Sequence, residues 1–388
     1  MTTPAITAVQ LGGGPDLPLL VLGPSLGTSA TALWSACAAR LADDFHLVAW
    51  DLPGHGRNQP VPSDIAFDMA GLAQGVLVLV DRVQAERGDD GALFCYAGDS
   101  LGGAVGLQLL LDEPDRVRAA VLLCTGAKIG EPDGWRERAE LVRRSGTPVM
   151  VEGSAQRWFS PGFLDREPAV GATLLHSLQD ADRFGYAAAC EALAAFDVRD
   201  RLGEITAPLL AIAGVDDEPA PVPGLREIAE GVKDGRLVVF DNVAHLAPAE
   251  APDEVAQLVH EHVLGVGGMK VRREVLGDAH VDRAVAGTTG FTRDFQQLIT
   301  DYAWGRIWTR PGLDRRNRSM ITLTALLARG HHEELALHVR AARRNGLTRD
   351  EIKAVFLNAA IYCGVPDANT AFRIAQPVLD EIDEQEEE

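Results

Sequence analysis

The stretch Ala92-Leu93-Phe94-Cys95-Tyr96-Ala97-Gly98-Asp99-Ser100-Leu101-Gly102-Gly103 decides the fold. Its first six residues are an apolar run of the kind that forms a buried strand. From Gly103 to Leu111 the spacing turns helical. Between them lies G-x-S-x-G, whose glycines permit a tight turn that a Cβ would obstruct. Strand, sharp turn and helix together lift a serine hydroxyl above the carboxyl edge of a sheet. The chemistry implied is attack of Ser100 on an acyl carbon through a covalent intermediate.

Outward from this elbow, strand and helix signals alternate. Leu19–Leu22, His46–Trp50, Ala119–Cys124, Leu209–Ala213 and Leu237–Phe240 are short apolar runs, with helical spacing at Thr31–Leu41 and Met69–Val83. This predicts a mostly parallel sheet covered by helices. Residues 126–206 interrupt the rhythm with helical periodicity and predict a lid over the sheet's carboxyl edge. Gly265-Val266-Gly267-Gly268 has the composition of a flexible joint, and Met269 heads a new segment. Beyond it, Phe291–Trp304, Ser319–Arg329, Glu333–Arg344, Arg349–Cys363 and Ala368–Asp380 carry apolar residues three and four apart, with Thr348 and Glu351 spaced as a capping box. The reading is an α/β domain over 1–265, a linker at 266–269 and a small all-α domain over 270–388.

A triad requires an acid and a histidine after the serine, each at a strand's carboxyl end. Leu209–Ala213 runs into Gly214-Val215-Asp216-Asp217, which makes Asp217 the favoured acid and leaves Asp216 open. The loop Asp241-Asn242-Val243-Ala244-His245 after the last strand offers His245 as base. An oxyanion hole needs two converging backbone N–H groups. Leu101, next to the nucleophile, and Leu26, in Gly23-Pro24-Ser25-Leu26-Gly27-Thr28, are the candidates. His55, in Asp51-Leu52-Pro53-Gly54-His55-Gly56, fits a tight structural turn. Gly-Asp-Ser-Leu also marks a separate hydrolase class, but there it stands near the N-terminus, whereas here it follows several βα units.

Bulk properties narrow the partners. The chain has 388 residues, 46% of them hydrophobic, and a formal net charge of −20. That charge argues against nucleic acid and requires local cations for any anionic substrate. The acidic run Asp380–Glu388 is expected to be a solvated tail. No apolar stretch is long enough for a bilayer and no signal-peptide pattern opens the chain. The five cysteines form no C-x-x-C pair, so buried thiols in a reducing cytoplasm are expected.

Residues 1 to about 265 resemble the 3-oxoadipate enol-lactonases of the α/β-hydrolase superfamily. The resemblance rests on Pro24-Ser25-Leu26-Gly27-Thr28, Asp51–Gly56, the serine elbow, Arg157-Trp158-Phe159 in the lid and Asn242–Leu246. It implies hydrolysis of a five-membered enol-lactone bearing an acetate side chain. The lid would then bind the substrate carboxylate, with Arg157 and Trp158 the first candidates among Arg136, Arg138, Arg143, Arg144 and Arg157.

Residues from about 270 to 380 resemble the carboxymuconolactone decarboxylase family, through Tyr302–Arg316, Glu334–Ala342 and Tyr362-Cys363-Gly364-Val365-Pro366. Relatives that reduce peroxides carry a C-x-x-C pair, and this chain has Cys363 alone. A cofactor-free, metal-free site suits the implied reaction. Loss of CO₂ from 4-carboxymuconolactone leaves electrons that delocalise through the alkene onto the lactone oxygen, so the substrate is its own electron sink. His338 is the candidate proton donor, with a buried structural histidine the rival reading. Among Arg306, Arg310, Arg315, Arg316 and Arg318, Arg306 and Arg316 are the candidate contacts for a dicarboxylate. Such relatives also assemble as oligomers, which implies homo-oligomers built through the helical domain.

The two resemblances join chemically, because the product of the decarboxylation is the substrate of the lactonase. They imply a bifunctional enzyme of the protocatechuate branch of the β-ketoadipate pathway in aromatic catabolism. The alternatives are a generic serine esterase with a helical oligomerisation module, and a non-catalytic ligand receptor on a hydrolase fold.

Overall fold

The computed structural model describes residues 3–310 and 312–387 and divides into two compact units, Met1–Val263 and Leu264–Glu388. In the first unit, seven strands among the described residues form one sheet. They are β1 (Thr7–Gly12), β2 (Leu19–Gly23), β3 (His46–Asp51), β4 (Phe94–Asp99), β5 (Val117–Leu123), β6 (Leu209–Gly214) and β7 (Gly235–Phe240). The spatial order is β1-β3-β2-β4-β5-β6-β7. β1 is antiparallel to β3 and every other pairing is parallel. β2, β3, β4 and β6 are buried throughout, and β5 at every residue but Arg118, as strands covered on both faces must be, and their sequences are accordingly near-continuous apolar runs. β1 lies at an edge, is only partly buried, and lacks that signature.

The elbow is held by backbone packing. A Cβ on Gly98 would stand 2.4 Å from the Gly102 carbonyl oxygen, and one on Gly102 would stand 2.6 Å from the Gly23 carbonyl carbon. Neither collision can be relieved by a side-chain rotation, so both positions demand glycine. Ser100 itself sits at φ 52°, ψ −115°, a conformation in which non-glycine residues are strained. Its N–H donates to the Leu123 carbonyl at 2.9 Å, and its carbonyl accepts from the Thr125 hydroxyl at 2.7 Å, which holds the strained residue in place.

The predicted lid is helical. Pro132–Ser145, Val151–Trp158, Phe163–Arg166, Pro168–Asp180 and Arg183–Ala195 are its α-helices, and shorter 3₁₀ turns link and close the set.

The second unit is all-helical among its described residues. Arg315–Arg329, His332–Arg344, Arg349–Cys363 and Val365–Glu387 pack around Leu323, Leu335, Val339, Phe356 and Ala371. The capping box forms as expected: Thr348 Oγ1 accepts from the Glu351 N–H at 3.2 Å, and the Glu351 carboxylate accepts from the Thr348 N–H at 2.8 Å.

Two sequence expectations are corrected here. Residues 266–269, read as a flexible linker, lie inside the helix Pro252–Leu276. The reason is close packing: a Cβ on Gly268 would come 2.1 Å from the Thr300 carbonyl oxygen, and one on Gly305 would come 2.7 Å from that of Leu264. Glycine here lets the helix lie backbone-to-backbone against the π-helix Ile299–Ile307. The acidic end is likewise not a free tail over its described part. It continues the last helix, where Asp380 and Asp383 engage Arg349 at 2.7 and 2.6 Å, and Glu381 engages Arg340 at 2.6 Å. Glu388 lies outside the described residues.

Candidate functional site

Three strand ends bring the first constellation together. Ser100 follows β4, Asp217 follows β6 and His245 follows β7. His245 Nε2 is 2.8 Å from Ser100 Oγ, while Nδ1 is 2.9 and 3.1 Å from the two Asp217 oxygens. All three side chains are buried. Asp217 also accepts from the Ala220 N–H at 2.9 Å, which fixes the carboxylate against the ring. This resolves the alternative left open above: Asp217, not Asp216, faces the imidazole. The arrangement is that of a nucleophile, a base and a group orienting the base.

The His245 loop is anchored on both sides. The His245 N–H donates to the Trp158 carbonyl at 3.1 Å. Glu250 accepts from the Ala244 N–H at 2.9 Å and from both the N–H and the hydroxyl of Ser160. Burial pushes the Glu250 carboxyl above the usual range and these hydrogen bonds oppose that shift. The loop before the first helix is tied to the elbow through the Gly102 N–H, which donates to the Pro24 carbonyl at 2.8 Å. Leu101 is the first residue of the helix Leu101–Asp112, and its N–H has no partner within its own helix.

A cavity of about 410 Å³ opens onto Ser100 and His245. Leu26, Trp135, Trp158 and Tyr186 line it, together with two arginines, Arg138 and Arg157. Arg138 stacks over Trp135 at 4.9 Å from the ring centroid and also interacts with the Tyr186 hydroxyl. Arg157 donates through Nε to the Gly153 carbonyl at 3.0 Å. Burial, and next the like charge of Arg138, lower the Arg157 pKa. The other lid candidates are elsewhere: Arg136 pairs with Asp133 and Arg143 with Glu191. Two acids also line the cavity, Glu131, engaged by Lys128 at 2.9 Å, and Glu218. A larger open concavity of about 700 Å³, lined by Ser29, Thr173 and His176, holds no nucleophile–base pair.

His55 is structural, as read from its turn. It is buried, its Nδ1 bonds the Pro53 carbonyl at 3.0 Å, its ring stacks on Tyr186, and burial lowers its pKa to about 4.

In the second unit the sequence candidates separate. Arg316 is committed to the Glu351 carboxylate and the Gly346 carbonyl, so an anion could recruit it only by breaking that pair. Arg306 lies 5.9 Å from the Tyr302 ring centroid. His338 is half-buried, and its pKa is lowered by burial first and by His280 second. One arginine that the sequence did not single out is Arg272. It is 4% exposed and donates to the Thr300 hydroxyl at 3.1 Å and to the Gln296 side-chain oxygen at 2.9 Å.

Comparison with known proteins agrees with both halves. Residues 20–258 match the alpha/beta hydrolase family and residues 293–377 the carboxymuconolactone decarboxylase family. The chain belongs to both families, as a fusion. Its first part is 34% identical over 240 residues to 3-oxoadipate enol-lactonase 2 of Acinetobacter baylyi, covering 62% of this chain and 86% of that protein. The last part is 44% identical over 115 residues to 4-carboxymuconolactone decarboxylase of the same organism, covering 30% of this chain and 86% of that protein. It is also 44% identical to the nitrosuccinic acid decarboxylase of Metarhizium robertsii, covering 30% of this chain and 80% of that protein. Among solved structures, the enol-lactonase from Burkholderia xenovorans LB400 superposes with a TM-score of 0.61 at 29% identity, covering 66% of this chain and 96% of that one. The fusion therefore joins an enol-lactonase-like hydrolase to a decarboxylase. No helix among the described residues is long and apolar enough to cross a membrane.

Proposed function

We propose that the C-terminal unit decarboxylates 4-carboxymuconolactone and that the N-terminal unit hydrolyses the resulting enol-lactone to 3-oxoadipate. The observation that carries this reading is the cavity shared by the triad and two lid arginines. An enol-lactone with an acetate arm presents an acyl carbon and a carboxylate, and the cavity offers a nucleophile for the first and guanidinium groups for the second.

In this reading Ser100 Oγ attacks the lactone carbonyl as His245 Nε2 takes its proton, with Asp217 stabilising the imidazolium. The Leu26 and Leu101 N–H groups receive the oxyanion. Collapse breaks the ring C–O bond and expels an enolate, which takes a proton and becomes a ketone while still tethered as the acyl-enzyme. Water, activated by His245, then releases 3-oxoadipate. Because an enolate leaves readily, little is asked of the general acid. The two steps belong together as consecutive reactions of the β-ketoadipate pathway.

The decisive experiment supplies 4-carboxymuconolactone to the full chain and follows CO₂, enol-lactone and 3-oxoadipate. The parent should form CO₂ and 3-oxoadipate, and Ser100→Ala should release CO₂ but stop at the enol-lactone. Formation of 3-oxoadipate by Ser100→Ala at the parent's rate above the spontaneous background would defeat the proposal. The equal likeness to a nitrosuccinic acid decarboxylase supports a second reading of the C-terminal unit alone. CO₂ release from nitrosuccinic acid in preference to the lactone would establish it.

We also infer that copies of the chain associate through the C-terminal unit. Of the 17 exposed large apolar residues recorded, 12 lie there, including Phe291 (95% exposed) and Tyr362 (82%). A monomeric sedimentation profile for the full chain would refute this.

A further inference from the structure

Shortly after His245, the helix Ala247–Glu250 turns the chain back on itself. It delivers the half-buried Glu250 carboxylate to two separate segments. Oε1 accepts from the N–H of Ala244, the residue before the base, at 2.9 Å. Oε2 accepts from the Ser160 N–H at 2.8 Å and from the Ser160 hydroxyl at 2.6 Å. Two of these donors are backbone N–H groups, which cannot reverse their polarity, and they approach opposite oxygens. An ionised carboxylate satisfies both. An amide has one acceptor oxygen and would turn its NH₂ towards one of them.

Ser160 stands just past the lid helix Val151–Trp158, where Phe159 leaves the helix in an extended conformation (φ −121°, ψ 141°). The Trp158 carbonyl accepts from the His245 N–H at 3.1 Å. The circuit is therefore closed: Trp158 holds His245, Ser160 holds Glu250, and Glu250 holds Ala244. Ser160, Trp158 and His245 are all buried, and these bonds are the stronger for it. The Trp158 side chain meanwhile lines the cavity with Arg157. Its ring also lies against the turn before the first helix, since a Cβ on Gly27 would stand 3.2 Å from it. One lid residue thus faces the cavity with its indole and holds the base with its backbone.

We propose that Glu250 is a positioning residue for hydrolysis, clasping the end of the lid helix to the histidine loop so that a carboxylate bound by the lid sets His245 over Ser100. The identity of the substrate rests on the lactonase reading above. The need for a clasp follows from how the two reacting groups are mounted. Ser100 follows a strand buried at every residue, whereas His245 stands on a loop after β7, a partly exposed edge strand. Proton transfer requires their 2.8 Å contact to be kept while the acyl carbon is attacked. Bracing the base on the lid makes the acetate arm useful to the chemistry. Binding energy gained at the lid arginines, away from the lactone carbonyl, is converted into orientation of the imidazole. A substrate that leaves those arginines empty draws nothing from the clasp.

The test uses the full chain and two substrates. Glu250→Gln keeps the side chain's volume and leaves one of the two backbone N–H groups facing an amide NH₂. It should lower kcat for the enol-lactone by about 10- to 100-fold, as a slightly misplaced base does, with KM within about threefold. The loss on p-nitrophenyl acetate, which has no carboxylate for the lid, should be about tenfold smaller. A residue that only holds the fold together would lower both substrates alike. Ser160→Ala removes the hydroxyl bond and keeps the N–H bond, so it should show the same split at a smaller size. If Glu250→Gln misfolds, that split in Ser160→Ala decides. Independently of any turnover, succinate offers the lid a carboxylate. It should move the downfield NMR resonance of the His245 Nδ1 proton in the parent and leave that of Glu250→Gln in place. A parent inert towards the enol-lactone would refute the lactonase reading, while the succinate titration still judges the clasp. Equal losses on the two substrates, or equal succinate shifts in parent and variant, would overturn it.

Discussion

The two units build their sites in opposite ways. In the N-terminal unit, reactive groups come from loops at the ends of β2, β4, β6 and β7, and the parallel sheet forces those ends to one edge. Residues 145 positions apart, Ser100 and His245, meet there at 2.8 Å. In the C-terminal unit, the candidate groups project from the sides of helices whose apolar stripes report packing alone. A sheet edge announces its chemistry through short motifs after strands. A helical bundle hides its chemistry among residues that otherwise look like surface.

That contrast is broken most directly at the triad. Asp217→Asn should lower hydrolysis by about 10⁴-fold in kcat, since the amide no longer fixes the productive imidazole tautomer. Asp216→Asn, one residue away, should change it less than about twofold, because that side chain does not face His245. Steady-state hydrolysis of the enol-lactone measures both. Equal losses in the two variants would mean that the loop after β6 contributes by its fold and not by one carboxylate.

The corresponding test in the helical unit is His338→Gln, which should lower decarboxylation by about 10²–10⁴-fold and leave hydrolysis unchanged. Burial, then His280, lower the His338 pKa, so its protonated form is scarce at neutral pH. A proton donor of this kind gives a decarboxylation kcat/KM that falls as pH rises through a value below the ordinary 6.5. Removing the like charge with His280→Asn should move that limb upward. A downward shift, or none, would take the donor role from His338.

Smaller effects belong to the lid. Arg138→Met and Arg157→Met should each raise the KM for the enol-lactone by about 10- to 100-fold, the loss of a charge-assisted hydrogen bond. Turnover of p-nitrophenyl acetate, which has no carboxylate, should stay within about twofold. A parallel loss on both substrates would show that these arginines shape the cavity without reading charge.

Legibility in the sequence follows the same divide. The strands from β2 to β6, the elbow, the base and the lid are readable because burial on both faces and glycine-flanked turns leave strong local marks, and the partly exposed edge strand β7 is readable through its apolar run Leu237–Phe240. β1 was not, since Thr7–Gly12 is a half-exposed edge strand without an apolar run. The joint at 266–269 was misread because glycine for a close helix crossing and glycine for a linker have the same composition. The partners of Arg316 and the burial of Arg272 escape the sequence for one reason. Sequence groups arginines by neighbourhood along the chain, whereas their availability depends on partners far away. Glu351 takes Arg316, while Arg272 finds only Thr300 and Gln296.

The smallest expected effect concerns Asp99, inside the elbow itself. It is fully buried, and neither of its carboxyl oxygens has a partner. Burial first, then the charges of Asp217 and Glu250, push its pKa well above the ordinary 3.8. The folded chain thus keeps a proton that the unfolded chain gives up, and between those two pKa values stability falls as pH rises. Asparagine has the same shape and no proton to lose, so Asp99→Asn removes that slope. Its melting temperature should match the parent's below about pH 4 and exceed it by a few degrees near pH 8. Thermal unfolding of the parent and the variant across that range reads the difference. A constant offset at every pH would mean that Asp99 is ionised in the fold. The hydrolase site would then carry a second buried negative charge beside Asp217, and its completeness relative to the helical unit would have to be reconsidered.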